Sequence, residues 1–400
     1  MISRTVAGLV FLAFLLRAQT PQLEQAWKLA ANGQQAEAIL LLKDFIRQSP
    51  SDAAARLLLG SLLAEAKQRD EAIAQLTEAV NLRPRSAEAQ NALGEAYVNF
   101  GSFPKARQPF EKAVALNPNF GVAQLNLARV LLDAKEFDAA AGHLDRAIQT
   151  LKPDEDGAMA HYLRAKAYTA RSDFRKAEVE LQKAVSIRSD FAEAWSDLGQ
   201  ARKALFNSEG ALAAFQRAVA LAPDDWVAQY RLGEQYFLKH EPHLAVGPLE
   251  QAYRLNPDDQ ATLNALQRAA RQDGKLEEAE QVKQKLAEVL GKLNESFGNE
   301  LNATQLNNAG AQLEHAGDLP GALEKYHAAV KLFPPSVPMR VNYAALLLRL
   351  GHWTDGLNEL HGALQMDPFN DKIKAALQAA LRQAPPETIP QWEQAASNPQ

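Results

Sequence analysis

The side chains that could perform chemistry in this sequence are few, and their spacing argues against catalysis. His240 and His243 stand closest together, in His240-Glu241-Pro242-His243. A helical zinc-protease motif places its two histidines four residues apart on one face. Here the interval is shorter and Pro242 interrupts it, so the pair reads as two solvated histidines at a turn. The other six histidines are scattered. No glycine-rich phosphate loop and no Gly-x-Ser-x-Gly elbow occurs. The chain has no cysteine, which removes disulfides, thiol catalysis, cysteine zinc sites and lipoprotein-type acylation. Carboxylates are numerous, as solvated helical faces require. Asn294-Glu295-Ser296 and Asn302-Ala303-Thr304 have the form of glycosylation acceptors, which matter only in a eukaryotic secretory pathway. The sequence leads us to expect no enzyme, no metal site and no cofactor.

Lys and Arg number 43 against 48 Asp and Glu, leaving a net charge of -5. That mild acidity gives no pull toward nucleic acid or an anionic membrane. The composition is 47% hydrophobic but only 7% aromatic, a balance that suits many small, closely packed helices. Residues 1–18 differ in kind. Arg4 precedes an apolar run from Val6 to Leu16, and Ala18 precedes Gln19. This is the layout of a secretory signal peptide cleaved after Ala18. The run is shorter than the roughly 20 residues that span a bilayer. We expect an exported protein, periplasmic or secreted, that begins at Gln19; the alternative is an uncleaved N-terminal membrane anchor.

The rest of the chain is one pattern repeated. Copies begin near Gln19, Ala53, Ala87, Gly121, Ala158, Ala192, Trp226, Gln260, Ala303 and Val337, usually 34 residues apart. A fixed period of this size marks a solenoid of stacked helical pairs. The eighth position is small in most copies, as at Gly60, Gly94, Gly199, Gly233 and Gly310, and the twentieth is nearly always Ala. Small residues there let two helices approach closely, while Phe110, Phe215, Leu249 and Tyr326 fill the gaps. Pro50, Pro84, Pro118, Pro223, Pro257, Pro334 and Pro368 stop each second helix. Asp52, Ser86, Asp225, Asp259, Ser336 and Asn370 stand where the next helix needs a cap. Gly33, Gly101, Gly274, Gly317 and Gly351 suit a left-handed residue closing the first helix.

Period, small residues, helix-opening plugs such as Phe103 and Trp353, and terminal proline together resemble the tetratricopeptide repeat over residues 19–370. Trp195, Leu198 and Gly199 reproduce that family's Trp-x-x-Leu-Gly opening. The copies depart from the pattern where Ser189 replaces the proline and where Gly356 replaces the usual Ala. The resemblance implies an all-α helix-turn-helix solenoid, a right-handed superhelix of about ten repeats. We expect a helix at 371–382 to cap its open end. Two spacings are irregular. One places an acidic loop at 151–157. The other extends a second helix from Leu276 to about Phe297, followed by a polar linker at 298–302 that reads as a hinge before a second block at 303–383. The tail at 384–400 is expected to be disordered.

In the family, the concave face is lined by set positions of the first helices. Carried over, these are Asn91, Glu95, Asn126, Arg129, Tyr162, Lys166, Asp197, Lys203, Tyr230, Arg231, Glu234, Asn264, Arg268, Arg271, Asn308 and Asn342. Asn126, Asn308 and Asn342 fit the asparagine ladder of O-linked N-acetylglucosamine transferases, but Arg231 breaks it. The carboxylate clamp of chaperone-binding members has no counterpart in three consecutive repeats. The expectation is a non-catalytic exported scaffold that binds a segment of another protein. The alternative is a targeting or assembly subunit of an envelope machine, such as a glycosyltransferase, pilus, polysaccharide-export or outer-membrane system.

Overall fold

The computed structural model describes residues 20–390; the expected signal segment and residues 391–400 lie outside them. All regular structure among the described residues is helical. The chain forms two compact units, one ending at Leu276 and the other beginning at Glu277. The first unit is a row of helical hairpins: 21–48, 53–82, 87–116, 121–150, 155–187, 192–221 and 226–255, then the helix Gln260–Gln272. The second contains the long helix Leu276–His315 from Glu277 onward, then Leu319–Leu332, Val337–Arg349, Trp353–Met366 and the capping helix Asp371–Gln383. No described helix is long and apolar enough to cross a membrane.

Each hairpin closes on one small residue set against one large one. A Cβ added at Gly94 would stand 2.5 Å from the Phe110 ring, and one at Gly199 would stand 2.4 Å from Phe215. Gly60 meets Leu76 at 2.6 Å, Gly233 meets Leu249 at 2.5 Å and Gly310 meets Tyr326 at 2.9 Å in the same way. These are closer than van der Waals contact permits, so glycine is required wherever the facing side chain fills the gap completely. The alanines of the second helices, from Ala38 to Ala322, are buried in the same seam. Gly356 follows the same logic: a Cβ there would lie 2.7 Å from Leu348.

The ends of the helices are held by local chemistry. All six expected caps accept backbone N–H groups; Asp52, for example, accepts from Ala54 and Ala55 at 2.9 Å. The five glycines expected at the turns have φ from 80° to 85°. Lys67, Lys135, Ser172, Phe206 and His240 do the same work at φ near 60°, a conformation that carries a steric penalty in non-glycine residues.

A second end device was not visible in the repeat alignment. The fourth residue of several first helices donates to the main-chain carbonyl six positions earlier. Arg56 reaches Pro50, Gln124 reaches Pro118 and Trp195 reaches Ser189, at 2.7, 2.8 and 3.0 Å. Gln229 reaches Pro223 and Arg340 reaches Pro334, at 2.9 and 3.0 Å. The carbonyls after a helix end have no intrahelical partner, and these side chains supply one. Trp195 thereby serves the repeat that lacks the terminal proline.

Three expectations need correction. Residues 298–302 are not a break: Leu276–His315 is one helix of 40 residues. Gly298-Asn299-Glu300-Leu301-Asn302 contains no proline, and a single glycine costs a helix only about 1 kcal/mol. The fifth first helix begins at Glu155, within the expected acidic loop, because Asp154 accepts from the amides of Asp156 and Gly157 at 3.2 and 3.3 Å. The first part of the expected disordered tail is ordered. A 3-10 turn at Pro386–Thr388 follows the capping helix, and Thr354 Oγ1 donates to the Thr388 carbonyl at 2.9 Å.

Candidate functional site

Consecutive first helices stack side by side, so their fifth, sixth, ninth and twelfth residues meet those of the neighbouring repeat. One cluster joins the third and fourth repeats. Asn126 Nδ2 donates to Asn91 Oδ1 at 3.1 Å and to Glu95 Oε1 at 2.9 Å. Asn91 and Asn126 are buried. Burial pushes the Glu95 carboxyl above its usual range, and the hydrogen bonds from Asn91 and Asn126 and the charge of Arg129 only partly oppose that rise.

A larger cluster spans the fifth, sixth and seventh repeats. Arg231 Nη1 donates to Ser196 Oγ at 2.7 Å and to Asp197 Oδ1 at 2.9 Å. Lys203 Nζ donates to Glu234 Oε2 at 2.6 Å, and the Tyr230 hydroxyl donates to Glu234 Oε1 at 3.3 Å. Burial, with Glu234 adding to it, pushes the Tyr230 phenol up to about 12. Burial and the nearby Asp197 also raise the Tyr162 phenol. The Tyr162 ring packs against Phe191 with centroids 4.8 Å apart, and Lys166 Nζ lies 5.6 Å from the Tyr162 centroid. A cavity of about 640 Å³ opens beside this cluster. Lys166, Asp197, Lys203 and Arg231 give it a charged wall; Ala165, Ala170, Phe174, Ala201 and Phe206 give it an apolar one. Phe206, in a left-handed turn, is 95% exposed at this rim.

The remaining expected residues lie apart from both clusters. Asn264 donates back to the Gln260 carbonyl of its own helix at 2.8 Å. The Arg268 guanidinium stacks 4.7 Å from the Phe237 ring, and Arg271 is exposed. In the second unit Asn342 bonds Asn307 at 3.1 Å, and the exposed Asn308 stands one residue out of register. The pairs Asn91–Asn126, Ser196–Arg231 and Asn307–Asn342 are each 35 residues apart. That interval, one more than the repeat, is the signal that would have found Ser196 and Asn307.

Sequence reasoning also missed a buried carboxylate between the two helices of the fifth hairpin. Glu180 is 3% exposed. His161 Nδ1 lies 2.6 Å from its Oε2, while Arg164 and Lys183 donate to Oε1 at 3.0 and 3.2 Å. Burial raises this carboxyl, but His161, Arg164 and Lys183 outweigh it and hold the group at about 2. The arrangement is a brace within one hairpin and lies on neither cluster. His240 and His243 are both exposed, and no described group of three or more histidine or acidic side chains is placed to hold a metal.

No curated protein sequence matches the chain. Similar solved structures include PilF of Pseudomonas aeruginosa, 16% identical with a TM-score of 0.49, over 53% of this chain and 95% of that one. A tetratricopeptide repeat protein of Parabacteroides merdae is 14% identical with a TM-score of 0.46, over 66% and 99%. MamA of Desulfovibrio magneticus is 23% identical with a TM-score of 0.39, over 43% and 96%. Family profiles described as tetratricopeptide repeat match residues 23–80, 63–120, 99–167 and 192–225. With the period, the small-to-large seams and the left-handed turns, these matches make the chain a tetratricopeptide-repeat protein.

Proposed function

We propose that the protein is a non-catalytic scaffold that holds an extended or helical segment of a partner protein against the first-helix face of its first unit. The observation that carries this reading is the cavity flanked by Lys166, Lys203, Arg231 and the exposed ring of Phe206. Its two walls suit a segment with an apolar side chain beside acidic or backbone acceptor groups. Arg231 and Lys203 are already fixed by Asp197 and Glu234, so the surface is organised before the ligand arrives. That preorganisation lowers the ordering cost of binding. We further propose that this work is done outside the cytoplasm, a reading supported by the residue pattern of 1–18. Sequencing the N-terminus of the mature protein tests it: a first residue of Gln19 supports export, and a full-length cytosolic product contradicts it.

The binding site itself is tested by in-cell cross-linking and affinity capture of the tagged chain, followed by mass spectrometry. Lys166→Glu and Phe206→Ser should each reduce recovery of the captured protein at least tenfold, while Lys112→Glu, on an exposed second-helix surface, should leave it unchanged. Equal recovery from all three variants would place the site elsewhere.

A further inference from the structure

A second cavity, of about 690 Å³, opens between the second and third repeats and shares no lining residue with the clusters described above. Ala54, Leu57, Ala79 and Ala89 give it an aliphatic floor. Arg83 and Arg85 line it as well, and both are exposed. Neither makes an ion pair among the described residues. Glu88, also in the lining, already accepts from Ser86 Oγ at 2.8 Å.

The chain itself shows what fills such a space. Three repeats later the Phe191 ring packs against Tyr162 with centroids 4.8 Å apart, and the Arg188 guanidinium lies 3.4 Å from the Phe191 centroid. Phe191 is 2% exposed, and Met159 packs against the same core. Arg188 in turn pairs with Glu155 at 3.3 Å and Asp190 at 4.0 Å. Ala54, Leu57, Arg83 and Ser86 stand 105 residues before Met159, Tyr162, Arg188 and Phe191. The arginine is kept, while the three side chains that fill the space are cut back to Ala, Leu and Ser. Pro50 and Arg85 stand where Glu155 and Asp190 would. The second repeat therefore has the stacking cation but neither the ring nor the carboxylates that engage it.

We propose that this cavity receives an aromatic residue with an acidic neighbour, supplied by an extended segment of a partner protein. The ring takes the space that Phe191 fills three repeats later and stacks on Arg83, and the carboxylate beside it pairs with Arg85. A ring set on aliphatic groups beside a guanidinium gains from both apolar burial and cation–π attraction. A carboxylate on the second guanidinium adds charge-assisted hydrogen bonds. The internal template is itself a stretch of polypeptide in which the acid directly precedes the ring, Asp190-Phe191, so the occupant is assigned as a polypeptide of that order.

Titration of the full chain with the blocked peptide Gly-Asp-Phe-Asp-Gly, followed through the NMR signals of the peptide, tests the proposal. Saturable binding with a Kd on the order of 1 mM is expected for one buried ring, and the peptide with Ala in place of Phe should bind at least tenfold more weakly. Ala54→Met restores the side chain that the fifth repeat carries; it should weaken binding at least tenfold without lowering the midpoint of thermal unfolding. Arg83→Glu should weaken binding as much with unchanged circular dichroism, and Lys112→Glu, on an exposed surface of another hairpin, should leave it intact. No saturation, equal affinity for the Phe and Ala peptides, or binding indifferent to both Ala54→Met and Arg83→Glu would overturn the proposal. A tenfold gain in affinity from Trp392→Ala would give the cavity to the chain's own C-terminal segment, which carries Trp392-Glu393, and would overturn the assignment to a partner.

Discussion

Glu180 and Glu95 show how one residue type is driven in opposite directions by its neighbours. Glu180 is buried among cations, so its folded carboxyl titrates below the unfolded one. Its stabilisation is present above the ordinary value of 4.5 and is lost as pH falls toward 2. Glu180→Gln should therefore destabilise the first unit at neutral pH by on the order of 2 kcal/mol. Denaturation curves should show that deficit closing as pH falls from 4.5 toward 2. Glu95 is half-buried, mainly against amides, and its folded carboxyl titrates above 4.5. Its contribution is present below that value and lost as pH rises through the folded one. Glu95→Gln should gain on the parent protein as pH rises from 4.5 toward neutrality, and an unchanged difference over that range would contradict the assignment. Neither environment was legible in the sequence. Glu95 was expected on the groove face from its repeat position, but Glu180 occupies a second-helix position with no repeat rule. Its burial depends on His161 and Arg164 arriving from another helix.

At the scale of the helix, the repeat pattern was readable because each small residue answers a fixed large one. Gly94→Ala should cost about 1–3 kcal/mol through overpacking against Phe110, measured as a shift in denaturation midpoint. Pairing it with Phe110→Leu should recover part of the loss. Additive losses would show that the two residues are not packed as described. Helix starts were legible because Asp52, Ser86 and Asp225 have a chemical reason to stand there. The polar residues of 298–302 read as a linker, but none of them forbids a helix, and the helix runs through them. The left-handed turns at Lys67 and Phe206 were invisible for the opposite reason: the backbone imposes there a conformation that the residue type does not advertise. The Pro50, Pro118 and Pro334 carbonyls find donors in Arg56, Gln124 and Arg340, and that pairing emerges only when the repeat is folded.

At the scale of the molecule, the candidate site is a product of stacking. Asp197 and Arg231 are a repeat apart in sequence, and neither forms a site within its own hairpin. The sequence could supply the inward positions, while the contacts showed that most of those polar groups are already engaged by the next repeat. The ion pairs of the first-helix face tie neighbouring hairpins together, and the cavity at Lys166 and Phe206 is where we propose that the partner segment binds. The most direct test places a photo-crosslinking residue at Thr169 or Gln200, inside that cavity, and separately at Lys112 on the exposed second-helix surface. A protein captured from both cavity positions and absent from the Lys112 position is the result expected. Capture of the same protein from Lys112, or no capture from either cavity position, would contradict a segment-binding scaffold that works through its first-helix face.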